Sequence, residues 1–458
     1  MTRRSRRSVL AALTASTAAL AGCSGTDDDD ATAPPESTVE PTTTRPTTTV
    51  GTATPAETTT ATDDSLPTTG PPLAGAEAFE DAVPALMREW ELPGGSVAVA
   101  KGDRLVFARG YGYADRETDR PVRPEALFRV ASISKPITAV AVLDLLERDE
   151  LALDDRAVDI LDHLVPDGGP ADDRALDVTV GQLLRHTGGW SNRELGYDPM
   201  FETTRIAREL GVEPPADAEQ IVRHTLGQPL SFAPGTGFAY SNFGYCVLGR
   251  VVEAVTGDDY ERHVADAVLD GAGISRMQIG ATRRSNLADG EVRYYGHRTV
   301  DSVFPDAGEV PSPYGTGVIE ANDANGGWIG SGVDLLRFLT ALDGRGSAGP
   351  LLDGSTRETL ATRPEIDRWR GTSQYYGTGW YVIPGDGARP SLWHNGSLPG
   401  SYGYLVRLAE YDLTLVALFN SRPREGFREF NRAAQQTLNR AAVSVSDWPE
   451  RDLFGSFP

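Results

Sequence analysis

The sequence predicts an α+β fold, with one sheet assembled from segments near both ends of the folded chain and a mainly helical insertion between them. Three observations carry this expectation. Two strand-like runs, 95–100 and 104–109, flank a turn at Lys101-Gly102-Asp103 near the front of the folded part. Strand-like runs return only at 379–383, 403–408 and 413–420. Between them, residues 150–290 carry mostly helical patterns joined by Pro- and Gly-rich connections. Strands collected at the two ends argue against the regular strand–helix alternation of a parallel sheet.

Residues 1–22 read as an export signal. Arg3, Arg4, Arg6 and Arg7 make a basic start, and the apolar stretch 9–21 is too short to cross a bilayer as a helix. Ser5-Arg6-Arg7-Ser8-Val9-Leu10 resembles a twin-arginine signal, and Leu20-Ala21-Gly22-Cys23 resembles the lipobox of secreted lipoproteins, in which Cys23 would be lipidated after cleavage. Residues 23–75 are expected to be a disordered tether: Asp27 to Asp30 is an acidic run, and 16 of residues 31–70 are Thr. Such a segment cannot bury enough apolar area to offset the entropy of ordering it. The folded domain is expected over 76–450, placing the protein outside the cell, held to the outer face of the cytoplasmic membrane by its N-terminal lipid.

Within that domain, 78–90 reads as an amphipathic helix. Residues 133–147 form a helix with apolar residues on all sides, which should be largely buried. A short helix at 180–185 should end at Gly188. Ser331 and Asp334 form a capping-box start for a helix at 333–342, and a final helix spans about 424–442.

Composition narrows the function. The 458 residues include 65 acidic and 43 basic ones, for a formal net charge of −22. A field of that sign repels nucleic acid and anionic lipid surfaces. Only Lys101 and Lys135 are lysine; every other basic residue is Arg. Acid-rich, lysine-poor composition resembles that of proteins from salt-loving microbes, whose surfaces stay soluble while salt screens their self-repulsion. The two cysteines, Cys23 and Cys246, imply no disulfide framework, and Cys246 sits in an apolar run as a small hydrophobe.

Three local patterns can carry chemistry. Ser132 and Lys135 are three apart at the start of the buried helix, so their side chains lie on one face. A serine hydroxyl needs a neighbouring base, and a desolvated lysine sheds its proton readily enough to be one. Arg could not serve, because its guanidinium stays protonated. Tyr240-Ser241-Asn242 places a proton-shuttling phenol beside an amide able to hold a carbonyl or the lysine. Of two His-x-Gly triplets, His186-Thr187-Gly188 reads as structural; His394-Asn395-Gly396, followed by Ser397, lies beside strand segments where Gly396 would let a ligand approach the backbone. No HExxH, His/Asp ligand cluster, P-loop or dinucleotide fingerprint is present, so no metal or organic cofactor is expected.

Taken in order, SxxK, YxN and a His-x-Gly resemble the serine β-lactamase and penicillin-binding-protein superfamily, and within it the branch of class C β-lactamases, DD-peptidases and related esterases and aminopeptidases. Leu183-Leu184-Arg185-His186-Thr187-Gly188-Gly189 and the run from Gly326-Gly327 to Asp334 are similar to two further motifs of that branch. The resemblance implies an antiparallel sheet flanked by helices, with Ser132 as nucleophile, Lys135 as its base and Tyr240 as proton relay. It further implies that Asn242 positions Lys135 and the substrate, that His394 flanks the cleft, and that the N–H groups of Ser132 and Ser397 form the oxyanion hole. Class C β-lactamases usually have Lys where His394 stands, and a mostly neutral histidine recognises a carboxylate less strongly. The expected activity is therefore hydrolysis of a small ester, amide or peptide, with a class C-like β-lactamase or DD-carboxypeptidase, or a non-catalytic binding protein of the same fold, as the alternatives.

Overall fold

The computed structural model describes residues 66–346, 349–385 and 389–458. The export signal, Cys23 and the tether as far as residue 65 lie outside the described residues. The main sheet has nine strands: β1 (Thr68–Thr69), β2 (Gly94–Lys101), β3 (Arg104–Asp115), β4 (Arg120–Pro121), β5 (Tyr375–Tyr376), β6 (Tyr381–Ile383), β7 (Ser391–Leu398), β8 (Ser401–Leu408) and β9 (Leu413–Phe419). Their spatial order is β1-β3-β2-β9-β8-β7-β6-β5, with β4 on β3 and every pair antiparallel. The join between the two ends of the chain is β9 on β2, where Phe419 pairs with Gly95 and Leu413 with Lys101. The predicted α+β class and two-ended sheet are what the structure shows.

Both faces of this sheet are covered, so every residue of β8 and β9 is buried. In β9, Leu413, Leu415, Ala417 and Phe419 face one core, while Val416 and Leu418 face the other. Helix α1 (Glu77–Glu89) and the C-terminal helix pack over the first face through Phe79, Val83, Phe430 and Leu438. Over the second lie α2 (Ser134–Glu147), α3 (Val180–Leu184), α4 (Asn242–Thr256) and α5 (Gly332–Leu342); the C-terminal helix is α6 (Phe427–Ser444). In α2 every residue from Ser134 to Leu143 is buried, as its apolar circumference requires. Ser331 accepts from the Asp334 N–H, completing the expected capping box of α5.

The expected domain limits of 76 and 450 both fall inside packed chain. Before residue 76, Thr68 and Thr69 pair with Tyr111 and Gly110, and Leu66 and Leu73 pack against the first core. After residue 450, Leu453, Phe454 and Phe457 pack against the second core, and Arg337 donates to the carbonyls of Phe454 and Phe457. A second correction concerns α3. His186, not Gly188, adopts the left-handed conformation after the helix, with φ 57°. The N–H groups of His186 and Thr187 close back on the carbonyls of Leu183 and Gln182 at 3.2 and 2.8 Å. Cys246 is fully buried, as expected.

Candidate active site

Ser132 occupies a tight turn, Ala131–Ile133, immediately before α2, so the helix proper begins two residues later than its nucleophile candidate. The preceding Ala131 is held at φ 49°, a conformation that costs an alanine about 1–3 kcal/mol. The turn is clamped against the sheet. Strand β6 pairs with β7 only as far as Trp393, and beyond that point β7 faces the Ala131–Ile133 turn instead of another strand. A Cβ on Gly396 would stand 2.1 Å from the Val130 carbonyl oxygen and 3.0 Å from the Ser132 nitrogen, so only glycine permits this approach. Its register partner Gly403 is similarly confined, by Ile133. Ser397 follows Gly396 on the same strand, which puts its backbone beside Ser132.

Lys135, on the first turn of α2, is entirely buried. Its Nζ lies 3.2 Å from Ser132 Oγ, 2.7 Å from Asn242 Oδ1 and 2.8 Å from the Asn325 carbonyl oxygen. Burial pushes the lysine down to about 7, against the opposing pull of the Asp198 carboxylate. Ser132 itself is half-buried and accessible to a ligand. Asn325 belongs to a widened helical turn, Asp323–Gly327, anchored to α2 by Thr138, which donates to the Ala324 carbonyl, and to α4 by the Arg250–Asp323 ion pair.

Tyr240 is positioned by the loop after α3. The Ala239 N–H donates to the His186 carbonyl at 3.1 Å, and the Ser241 N–H donates to His186 Nδ1 at 3.2 Å. The His186 ring packs on Tyr240 with centroids 4.3 Å apart, and Lys135 Nζ stands 4.8 Å from the Tyr240 ring centre. Accepting at Nδ1 leaves the proton of His186 on Nε2, and burial drives its basicity far below the ordinary value. Its structural reading thus acquires a location: it is the wall behind Tyr240. Asn242 begins α4, whose N-terminus is capped by the Ser241 hydroxyl. Its other amide end donates to Asp198 Oδ2 at 2.6 Å.

His394, on β7, is 1% exposed, and its charge is decided by its contacts. Nδ1 lies 2.6 Å from the Asn395 carbonyl oxygen and must donate to it, so Nε2 accepts from the Tyr376 hydroxyl at 3.2 Å. Burial, reinforced by the charge of Lys135, pushes this imidazole down to about 3. It is a neutral group near pH 7. The nearby cation is Arg422, on the loop after β9, whose Nη1 donates to Ser397 Oγ at 3.0 Å.

The structure therefore gathers Ser132, Lys135, Tyr240, Asn242, His394, Gly396 and Ser397 around one cleft. Cys23 lies outside the described residues. Sequence reasoning missed Asp198, Asn325, Tyr376 and Arg422, which come from four separate loops, turns or short strands and carry no local pattern. Among the described residues no group of three or more His, Cys, Asp or Glu could hold a metal ion.

A serine at a helix start, a buried lysine within reach of its hydroxyl, and a tyrosine and a strand closing the cleft define a serine hydrolase of the β-lactamase and penicillin-binding-protein type. The chain belongs to the Beta-lactamase family, whose model matches residues 79–439. It is 33% identical over 343 residues to Esterase EstB of Burkholderia gladioli, covering 69% of this chain and 83% of that protein. It is 25% identical over 368 residues to Penicillin-binding protein 4* of Bacillus subtilis (strain 168), covering 78% of this chain and 74% of that one. Among solved structures it resembles the D-amino acid amidase of Ochrobactrum anthropi SV3, with a TM-score of 0.63 and 21% identity over 82% of this chain and all (100%) of that one, a likeness of fold.

Proposed function

We propose that the protein is a surface-tethered hydrolase that cleaves an ester or amide of a small molecule through an acyl-enzyme on Ser132. The observation that carries this reading is the fully buried Lys135, held near neutral basicity with its Nζ 3.2 Å from Ser132 Oγ. In its neutral form the amine directs two N–H bonds at Asn242 Oδ1 and the Asn325 carbonyl, and its lone pair is left for the Ser132 proton. Ser132 Oγ then bonds to the substrate carbonyl carbon as its proton passes to Lys135. The carbonyl oxygen becomes an oxyanion facing the N–H groups of Ser132 and Ser397; one such donor is worth about 3–4 kcal/mol of barrier. Collapse expels the alcohol or amine, which takes a proton relayed through Tyr240. Water, deprotonated by the same groups, releases the acid and frees Ser132.

The neutral state of His394 favours an ester or amide without an obligatory carboxylate, in keeping with the likeness to Esterase EstB. One observation favours the alternative of a β-lactamase or DD-carboxypeptidase: Arg422 places a fixed positive charge on Ser397. Intact-mass measurement of the purified protein in concentrated salt, before and after a fluorophosphonate probe and, in parallel, penicillin, separates these. We expect one probe adduct that disappears in Ser132→Ala. A lasting penicillin adduct would move the assignment to the second reading, and no adduct on folded protein would leave only a binding role. The tether reading rests on the signal and Cys23, and predicts that Cys23→Ser releases the protein into the medium or leaves its precursor uncleaved. Unchanged membrane association of that variant would remove the lipid anchor.

A further inference from the structure

We propose that Asp198 is a positioning residue of the catalytic lysine, acting through Asn242: its carboxylate holds the amide so that the oxygen, and not the NH2 group, faces Lys135. The inference rests on the reading of Lys135 as base. An asparagine amide is nearly symmetric in shape, so its partners must decide which end points where. Toward Lys135 it presents Oδ1, at 2.7 Å from Nζ; toward Asp198 it presents Nδ2, at 2.6 Å from Oδ2. A carboxylate only accepts, so it can bind the NH2 end alone. With the opposite orientation, an amide N–H would face Nζ and draw the lysine lone pair away from Ser132.

Burial pushes the Asp198 carboxyl above its ordinary value, and its hydrogen-bond partners, with Lys135, pull it back toward the anion. Its other oxygen accepts from the Met200 N–H at 3.0 Å, and the Asn192 side chain donates to it as well. These partners are all donors. It sits just ahead of a short turn, Pro199–Phe201, packed near the start of α4. The other titratable groups around Lys135 are Tyr240 and Tyr245, with ring centres 4.8 and 5.6 Å from Nζ, and the neutral His186 and His394. Tyr376 lies behind His394, and Asp323, the first residue of the turn that holds Asn325, is committed to Arg250. Asp198 is thus the carboxylate whose charge favours the lysine ammonium, while its grip on Asn242 keeps that lysine aimed at Ser132. The two effects oppose each other in rate, and that opposition makes the role measurable.

The chain has two lysines, Lys101 and Lys135, so protein labelled with 13C at lysine Cε gives two signals, assigned with Lys101→Arg. In Asp198→Asn, the negative charge is lost and the Asn242 amide is free to turn; both changes favour the neutral amine. We expect the Lys135 titration to move about one pH unit downward, while the Lys101 signal stays in place. Fluorophosphonate labelling of Ser132 should slow in the same variant although more of its lysine is in the base form. Asp198→Ser, too short to reach Asn242, should reproduce both effects if the isosteric variant folds poorly; the Lys101 signal and near-ultraviolet circular dichroism report folding. A Lys135 titration unchanged in both variants, or a lowered titration with Ser132 labelled as fast as in the parent protein, would overturn the proposal. Because that titration needs no turnover, it reads the Asp198 charge at Lys135 even where absent probe labelling of the parent protein defeats the hydrolase reading itself.

Discussion

In the proposed mechanism the chemistry turns on Lys135, and the environment of that residue pulls it two ways. Complete burial disfavours the ammonium, Asp198 favours it, and the balance near 7 leaves a large share of free amine at neutral pH. The sign of the resulting pH dependence follows directly. Only the unprotonated amine can take the Ser132 proton, so labelling of Ser132 should be slow at acid pH and rise as pH passes through about 7. Lys135→Arg keeps a cation but no lone pair, and should slow labelling by at least about 100-fold; near-normal kinetics would refute the base. Ser132 and Lys135 were legible because their relation is local, one helical turn. Asp198, Asn325 and Tyr376 were not. They lie 63 to 241 positions from Lys135 in the chain and join its surroundings only after folding.

Among the elements, α2 and α5 announce themselves by apolar periodicity and a capping box, and both form nearly where expected. The last stretch of β7 was harder to read. Its side chains alternate between buried and half-buried along the whole strand, but its edge changes partner at Trp393, from β6 to the turn that bears Ser132. No property of residues 394–398 alone signals that change; it arises because β6 is three residues long. The end of α3 shows a different limit. Glycine is the usual residue at φ > 0, yet His186 takes that conformation, which histidine tolerates better than most residues. Here its ring and carbonyl are held by the Tyr240 segment. The site needs an imidazole behind Tyr240 more than the helix needs a glycine.

For the whole molecule, the buried imidazoles couple the site to stability. His186 and His394 are both held far below their ordinary basicity by burial, His394 at about 3. Between that value and the ordinary 6.5, the unfolded chain binds protons that the folded one refuses. Stability from His394 is therefore complete above pH 6.5 and declines as pH falls toward 3, by about 1.4 kcal/mol per pH unit, and His186 acts in the same direction. Denaturant titrations in constant concentrated salt should show this slope, and His394→Gln should flatten it by one proton. An unchanged slope in that variant would mean that His394 is not buried neutral. Constant salt matters, because a net charge of −22 makes self-repulsion depend on screening.

The sequence by itself determined the fold class, because strand and helix patterns rest on a periodicity that burial imposes, and it singled out Ser132, Lys135 and Tyr240 through short motifs whose order resembles that of the family. Tertiary structure alone decided that packed chain reaches beyond the expected limits at 76 and 450, since two paired threonines and a few terminal apolar residues have no periodicity to show. It also decided that His394 is neutral, that Gly396 is the point of closest approach to Ser132, and that a carboxylate stands behind Asn242. Those properties depend on which distant atoms share a low-dielectric space, and the linear order of residues does not contain that distance.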